Sequence, residues 1–319
     1  MDCFGKGDEL LEIRAGSFKF TIAPNEPLVL PSYKGATLRG GFGHAFKRVV
    51  CALRRDSCAE CLLEERCIYS YIFETPPPPD TKIMRKYKTA PHPFIIEPPS
   101  GMQKIYKPGD EIVFGLILVG RAIDYMPYFV YTFDELGRIG IGKGRGKFTL
   151  KEVRCGGDVI YDSESKTIKP FKTVDLPLFA AAGSPRPGAV TLSFLTPTRI
   201  TYNGHLTLDL EFHMLIRNLL RRLSMLYYFH CGGDPSSWNF RDIIAGAQGV
   251  KVEEHNLRWH DWERYSSRQD TRMKLGGFVG TITFEGDIEP FMPLLAAGEL
   301  LHVGKGTSFG LGKYEIRRK

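Results

Sequence analysis

No stretch of this chain is apolar for the length of a membrane span, so a helix through the bilayer is not expected. The start, MDCFGKGDELLEI, lacks the apolar core of a secretory leader, and a cytoplasmic protein is expected. Neither sign of charge dominates. Lys and Arg number 43 against 36 Asp and Glu, a net charge of +7, which is compatible with a polyanionic partner without demanding one. Cysteine is scarce, at seven residues in 319. With 43% hydrophobic and 12% aromatic residues the chain is not disordered, and it is long enough for two domains with cores of their own.

What the chain does have is glycine in a particular place. Gly298 to Ile316 reads GELLHVGKGTSFGLGKYEI. Glycine accepts positive φ and lets a backbone approach a ligand closely. Exposed N–H groups beside Lys305 and Lys313 suit phosphate oxygens; a plain strand–turn–strand connection fits the same composition. The stretch has an echo in Gly137 to Leu150, GRIGIGKGRGKFTL. Gly144-Arg145-Gly146-Lys147-Phe148 aligns with Gly310-Leu311-Gly312-Lys313-Tyr314 at a constant offset of 166. Such an internal repeat predicts two copies of one domain, each ending in a glycine loop and a final strand.

Along the chain, Glu12 to Thr21 predicts a strand. In SYKGATLRGGFGHAFKRVVCAL, the residues Leu38, Phe42, Phe46, Val49 and Leu53 recur at helical spacing. His44 falls about 160° from the centre of that stripe, and Lys47, Arg48 and Arg55 fall on its side. Strands are expected at 92–97 and 110–119, a helix at 125–136, and a closing strand to about Val153. The order β-α-β-β-α-β is ferredoxin-like. The second copy has a strand at 189–195, a helix at 208–229, a strand at 277–284, a helix at 288–301 and a last strand after the loop. The expected fold is α+β, with tandem ferredoxin-like domains at 1–154 and 189–319 and an irregular connector at 155–188.

Cys51, Cys58, Cys61 and Cys67 fall in one 17-residue window. Four thiolates at this spacing can hold a tetrahedral metal. Zinc is favoured over an iron–sulfur cluster, since nothing else points to redox chemistry. A reduced structural cluster and disulfides are the alternatives, the latter disfavoured in a cytosolic protein. Such a site would be a knuckle inserted in the first domain, closed to catalysis because no coordination position stays open.

The motifs RYSSRQ, KLGGFVG and ELLHVGKGTSFGLGKY resemble the C-terminal domain of the precursor-crRNA-processing endoribonucleases in the RAMP superfamily of CRISPR-associated proteins. LPSYKGATLRGGFGHAFKRVVC with its following cysteines resembles the N-terminal half in one branch of them. The resemblance covers nearly the whole chain except the connector. It implies cleavage of CRISPR repeat RNA with no metal in the chemistry: the 2′-hydroxyl attacks the neighbouring phosphate and leaves a 2′,3′-cyclic phosphate. It also implies a catalytic His on the first helix, matching His44, with Tyr33 and Lys47 as its companions. The alternative it carries is a non-catalytic subunit that holds crRNA among other effector subunits.

The expected RNA contacts are Arg39, Arg48, Lys143, Arg145, Lys305 and the loop positions Gly304, Gly306, Gly310 and Gly312. For each cation a solvated surface charge is the plain reading. His302 either touches RNA or supports the loop. Arg268 either grips phosphate with its planar fork or pairs with Glu263 or Asp270.

Overall fold

The computed structural model describes residues 11–318, apart from 55–56, 59–60, 82, 84–88, 180–186, 262, 267–270 and 275. It divides into two units. One holds Arg14–Val174 and Phe229–Cys231; the other holds Met1–Ile13, Asp175–Tyr228 and Gly232–Lys319.

The unit built on Arg14–Val174 starts with strand β1, Glu12–Pro24, whose inward residues Phe18, Phe20 and Ile22 are buried. Helix α1 spans Gly35–Val50 and buries Leu38, Phe42, Ala45 and Phe46, while Lys47 and Arg48 in its last turn complement the helix dipole. Then come β2 (Phe94–Glu97), β3 (Ile112–Val119), α2 (Met126–Ile139), β4 (Phe148–Cys155) and β5 (Asp158–Asp162). The sheet runs β2-β3-β1-β4-β5, with antiparallel neighbours. Its first four strands have the ferredoxin-like order. Both helices meet the sheet and each other through phenylalanine: the Phe42 ring of α1 lies 5.6 Å from Phe94 of β2, the Phe133 ring of α2 lies 5.0 Å from Phe20 of β1, and Phe42 lies 4.9 Å from Phe129.

The other unit repeats the plan. Its elements are β6 (Pro187–Thr198), α3 (Phe212–Cys231), α4 (Phe240–Ala247), β7 (Lys251–His260), β8 (Gly277–Asp287), α5 (Met292–Leu301) and β9 (Tyr314–Arg318). The sheet order β7-β8-β6-β9 matches β2-β3-β1-β4. The repeat seen in the loops extends further. At the same offset, Met126 and Met292 both open helices with proline next in line, where its missing N–H costs nothing. Gly140 and Gly306 have φ of 86° and 80°, and Gly144 and Gly310 have 84° and 83°. Phe148 and Tyr314 both open the strand that follows.

Four expectations need correction. Helix α1 ends at Val50, and Leu53 lies beyond it, 43% exposed. The connector is partly strand, because β5 pairs with β4. The stretch between α3 and β8 holds a helix and the edge strand β7, whose residues are nearly all exposed and so carry no alternation. The last helix begins at Met292 after a 3₁₀ turn at Glu289–Phe291.

Candidate functional site

Helix α1 presents three faces. The first is the buried stripe. The second carries Gly40, His44 and Arg48, all exposed and one turn apart. The third carries Arg39, Gly43 and Lys47, and the segment 69–73 lies against it. A Cβ at Gly43 would run into the Phe73 ring, so glycine is what admits that ring. Arg39 stacks its guanidinium 4.4 Å from the Phe73 ring centre, and Lys47 sets Nζ 5.6 Å from that of Tyr69. The expectation that Lys47 shares the face of His44 therefore fails, and Arg48 is the cation that does share it.

Arg39 belongs to a hydrogen-bonded chain. Its Nη2 lies 3.0 Å from His92 Nε2. A guanidinium only donates, so that nitrogen accepts and the imidazole proton sits on Nδ1. Nδ1 faces Thr75 Oγ1 at 2.9 Å, and the Thr75 hydroxyl donates to Ala90 O at 3.0 Å. Thr75 has φ 48° and closes a π-helical turn, Ser70–Glu74. Such turns gather at functional positions.

Tyr33 is half-buried, and desolvation raises its phenol well above the ordinary value, so it keeps its proton at neutral pH. Its neighbour Lys34 is fully buried. Nζ donates to Ser32 O and Gly101 O, each at 3.1 Å, and burial lowers its pKa. Sequence reading missed Lys34, His92 and His230, since nothing in their spacing marks them. His230 is buried, with Nε2 2.8 Å from Pro91 O and Nδ1 3.3 Å from the Tyr71 hydroxyl. Burial pushes the Tyr71 phenol up to about 12, against the pull of Arg121.

The first glycine loop is an exposed turn with Lys143, Gly144, Arg145 and Lys147 facing solvent. It is pinned by Lys143 N donating to Val29 O and Ile141 N to Gly146 O, both at 2.9 Å. The second loop is largely inside. His302 is fully buried at φ 59°, and its Nδ1 lies 3.0 Å from Leu311 O. Counted among the RNA contacts, it stands instead as the loop's internal support. Arg222 of α3 is also buried; Nε donates to Leu301 O and His302 O at 2.9 and 3.1 Å. Burial lowers its pKa to about 10, which leaves it charged at neutral pH. Val303 N donates to Gly312 O, and Lys305 N to Arg199 O. Within 302–312 only the Lys305 side chain is exposed; Gly304 and Gly306 are half-buried, and Gly310 and Gly312 are buried. Arg268 lies outside the described residues.

Cys51, Cys58, Cys61 and Cys67 line one small cavity with Ser57, Glu64, Tyr69 and Ser70. All four are free thiols. Burial raises the Cys58 thiol; Lys47 opposes the rise, and Glu74, Cys67 and Cys51 add to it. Among the described residues no group of three or more His, Cys, Asp or Glu side chains stands close enough to hold a metal ion. The knuckle expected from the sequence is thus not a formed cage.

A model of the CRISPR-associated endoribonuclease Cas6 matches residues 192–314, and one described as an N-terminal domain matches residues 13–173. Residues 192–314 of the chain form a Cas6-type domain. An uncharacterized protein of Archaeoglobus fulgidus is 24% identical over 296 residues, 90% of this chain and 93% of that one. Among solved structures, a Cas6 product complex has a TM-score of 0.57 at 18% identity, covering 96% of this chain and 100% of its own. A Thermus thermophilus Cas6 has a TM-score of 0.53 at 15% identity, covering 98% and 100%. At these identities the structures speak for the Cas6 fold. Among the described residues no helix is long and apolar enough to cross a membrane.

Proposed function

We propose that this chain binds CRISPR repeat RNA in the cytoplasm and cleaves it without a metal in the chemistry, any zinc being confined to the cysteine window. The ribose 2′-oxygen attacks the adjacent phosphorus and gives its proton to a base. The bond to the 5′-oxygen breaks, and that oxygen takes a proton from an acid. The products are a 2′,3′-cyclic phosphate and a 5′-hydroxyl. The observation that carries this reading is His44, an imidazole on the open face of α1 with Arg48 one turn away. Imidazole exchanges protons near neutral pH, and a guanidinium offsets the charge of the phosphorane. Tyr33, kept neutral by burial, is the donor assigned to orient the reacting sugar. Lys47 serves the site by holding the aromatic segment against α1, with Arg48 in the phosphate-binding role.

The test is incubation with repeat RNA in EDTA, followed by end-group analysis. Cleavage that gives cyclic phosphate and is lost on 2′-deoxy substitution before the cut supports the reading. Binding without cleavage makes the chain an RNA-holding effector subunit instead.

A further inference from the structure

We propose that Cys51, Cys58, Cys61 and Cys67 bind one zinc ion as four thiolates, a structural site independent of the cleavage reading. The structure adds to their spacing the fact that all four line the same cavity. Half of its eight lining residues are cysteine, and its volume is about 10 Å³, the room of a single water-sized sphere.

The backbone fixes where each thiol starts from. Cys51 ends α1, with its N–H on Lys47 O at 2.9 Å. Cys61 N donates to Cys58 O at 3.1 Å and Glu64 N to Cys61 O at 2.9 Å, which ties Cys58, Cys61 and Glu64 together through the backbone. Cys67 caps the 3₁₀ turn Glu64–Arg66. Four separately anchored cysteines therefore line one cavity without yet closing on a common point. Binding an ion asks the thiols to leave the arrangement seen here, and a change of staggered well at χ1 carries each Sγ through roughly 3 Å. Glu64 offers a hard oxygen to the same cavity, but four soft sulfurs select zinc over magnesium or calcium. Each coordinating thiol releases its proton to solvent on binding. With four sulfurs bound, no position is left for a reacting water. The ion's work is to tie the end of the helix that carries His44 to the segment leading into Tyr69 and Phe73.

The whole protein, purified without added metal, should contain about one equivalent of zinc by elemental analysis. Replacing it with Co²⁺ should give the strong sulfur-to-cobalt charge-transfer absorption of a four-thiolate tetrahedral site. Cys58→Ser with Cys61→Ser should lose both signals, and Cys155→Ser should keep both. Folded parent protein that takes up neither zinc nor cobalt overturns the proposal, even if the double variant fails to fold. So does full zinc content in the double variant, or a parent mass showing the four thiols joined as disulfides.

Discussion

The first glycine loop and the second bend alike and are bathed differently. Gly140 and Gly144 repeat the φ of Gly306 and Gly310, yet Lys143 and Arg145 face water, whereas between His302 and Gly312 only Lys305 does. The flanking helices differ in the same sense. Helix α1 turns His44 and Arg48 outward, while α3 buries Arg222 beneath its loop. A repeated backbone therefore does not imply a repeated task. One copy leaves its cations in solvent, and the other uses a cation to hold its own loop together.

The largest expected effect tests the shared backbone. A Cβ at Gly312 would strike Val303 O, and one at Gly140 would strike Arg145 O, both at positive φ. Gly312→Val and Gly140→Val should each destabilise their unit by about 4 kcal/mol or more, read by chemical denaturation. Gly144→Ala meets nothing within 4 Å and should cost only about 1 kcal/mol of backbone strain. If either valine variant keeps the parent stability, the close backbone approach at that glycine is not what holds its loop.

His44→Ala should lower the single-turnover cleavage rate by roughly 10²-fold with affinity kept within a few-fold. Cleavage at the parent rate would move the chemistry away from the open face of α1. Next in size is the difference in phosphate contacts. Replacing Lys143 and Arg145 together by alanine should weaken RNA binding and flatten its salt dependence by about 1.4 in log–log slope, against about 0.7 for Lys305→Ala, at about 0.7 per contact with a single strand. Equal slopes would mean that exposure does not separate the loops.

The smallest effect concerns Phe148 and its counterpart Tyr314. The Tyr314 hydroxyl donates to Leu295 O at 2.6 Å, and burial raises its pKa well above 10.0. The unfolded chain ionises first, so stability present below pH 10 is lost as pH rises beyond it. Tyr314→Phe should cost about 1 kcal/mol at neutral pH and make alkaline unfolding less steep. An unchanged alkaline slope would show that this phenol is not coupled to folding.

Much of this was legible beforehand. Leu38, Phe42 and Phe46 at helical spacing placed α1 against its sheet, and the offset of 166 located both closing strands. The open position of His44 followed from the same wheel. The side of Lys47 did not follow, because it faces Tyr69 in a segment more than twenty residues on, whose Phe73 enters where Gly43 leaves room. Strand β7 escaped because an exposed edge has no hydrophobic alternation to read. Buried Arg222 donates to His302 O, and no local pattern links those two residues.

The sheet order also bears on how fast the chain reaches this state. In each half the first strand lies inside the sheet and must wait for the last: Phe18 meets Cys155, and Phe194 meets Tyr314. Pairings so distant along the chain have a high closure entropy and slow the search for the native state. Until they form, β1 and β6 each offer an unpaired edge to other chains. Refolding yield should therefore fall with protein concentration, and recovery should improve where encounters between chains are rare.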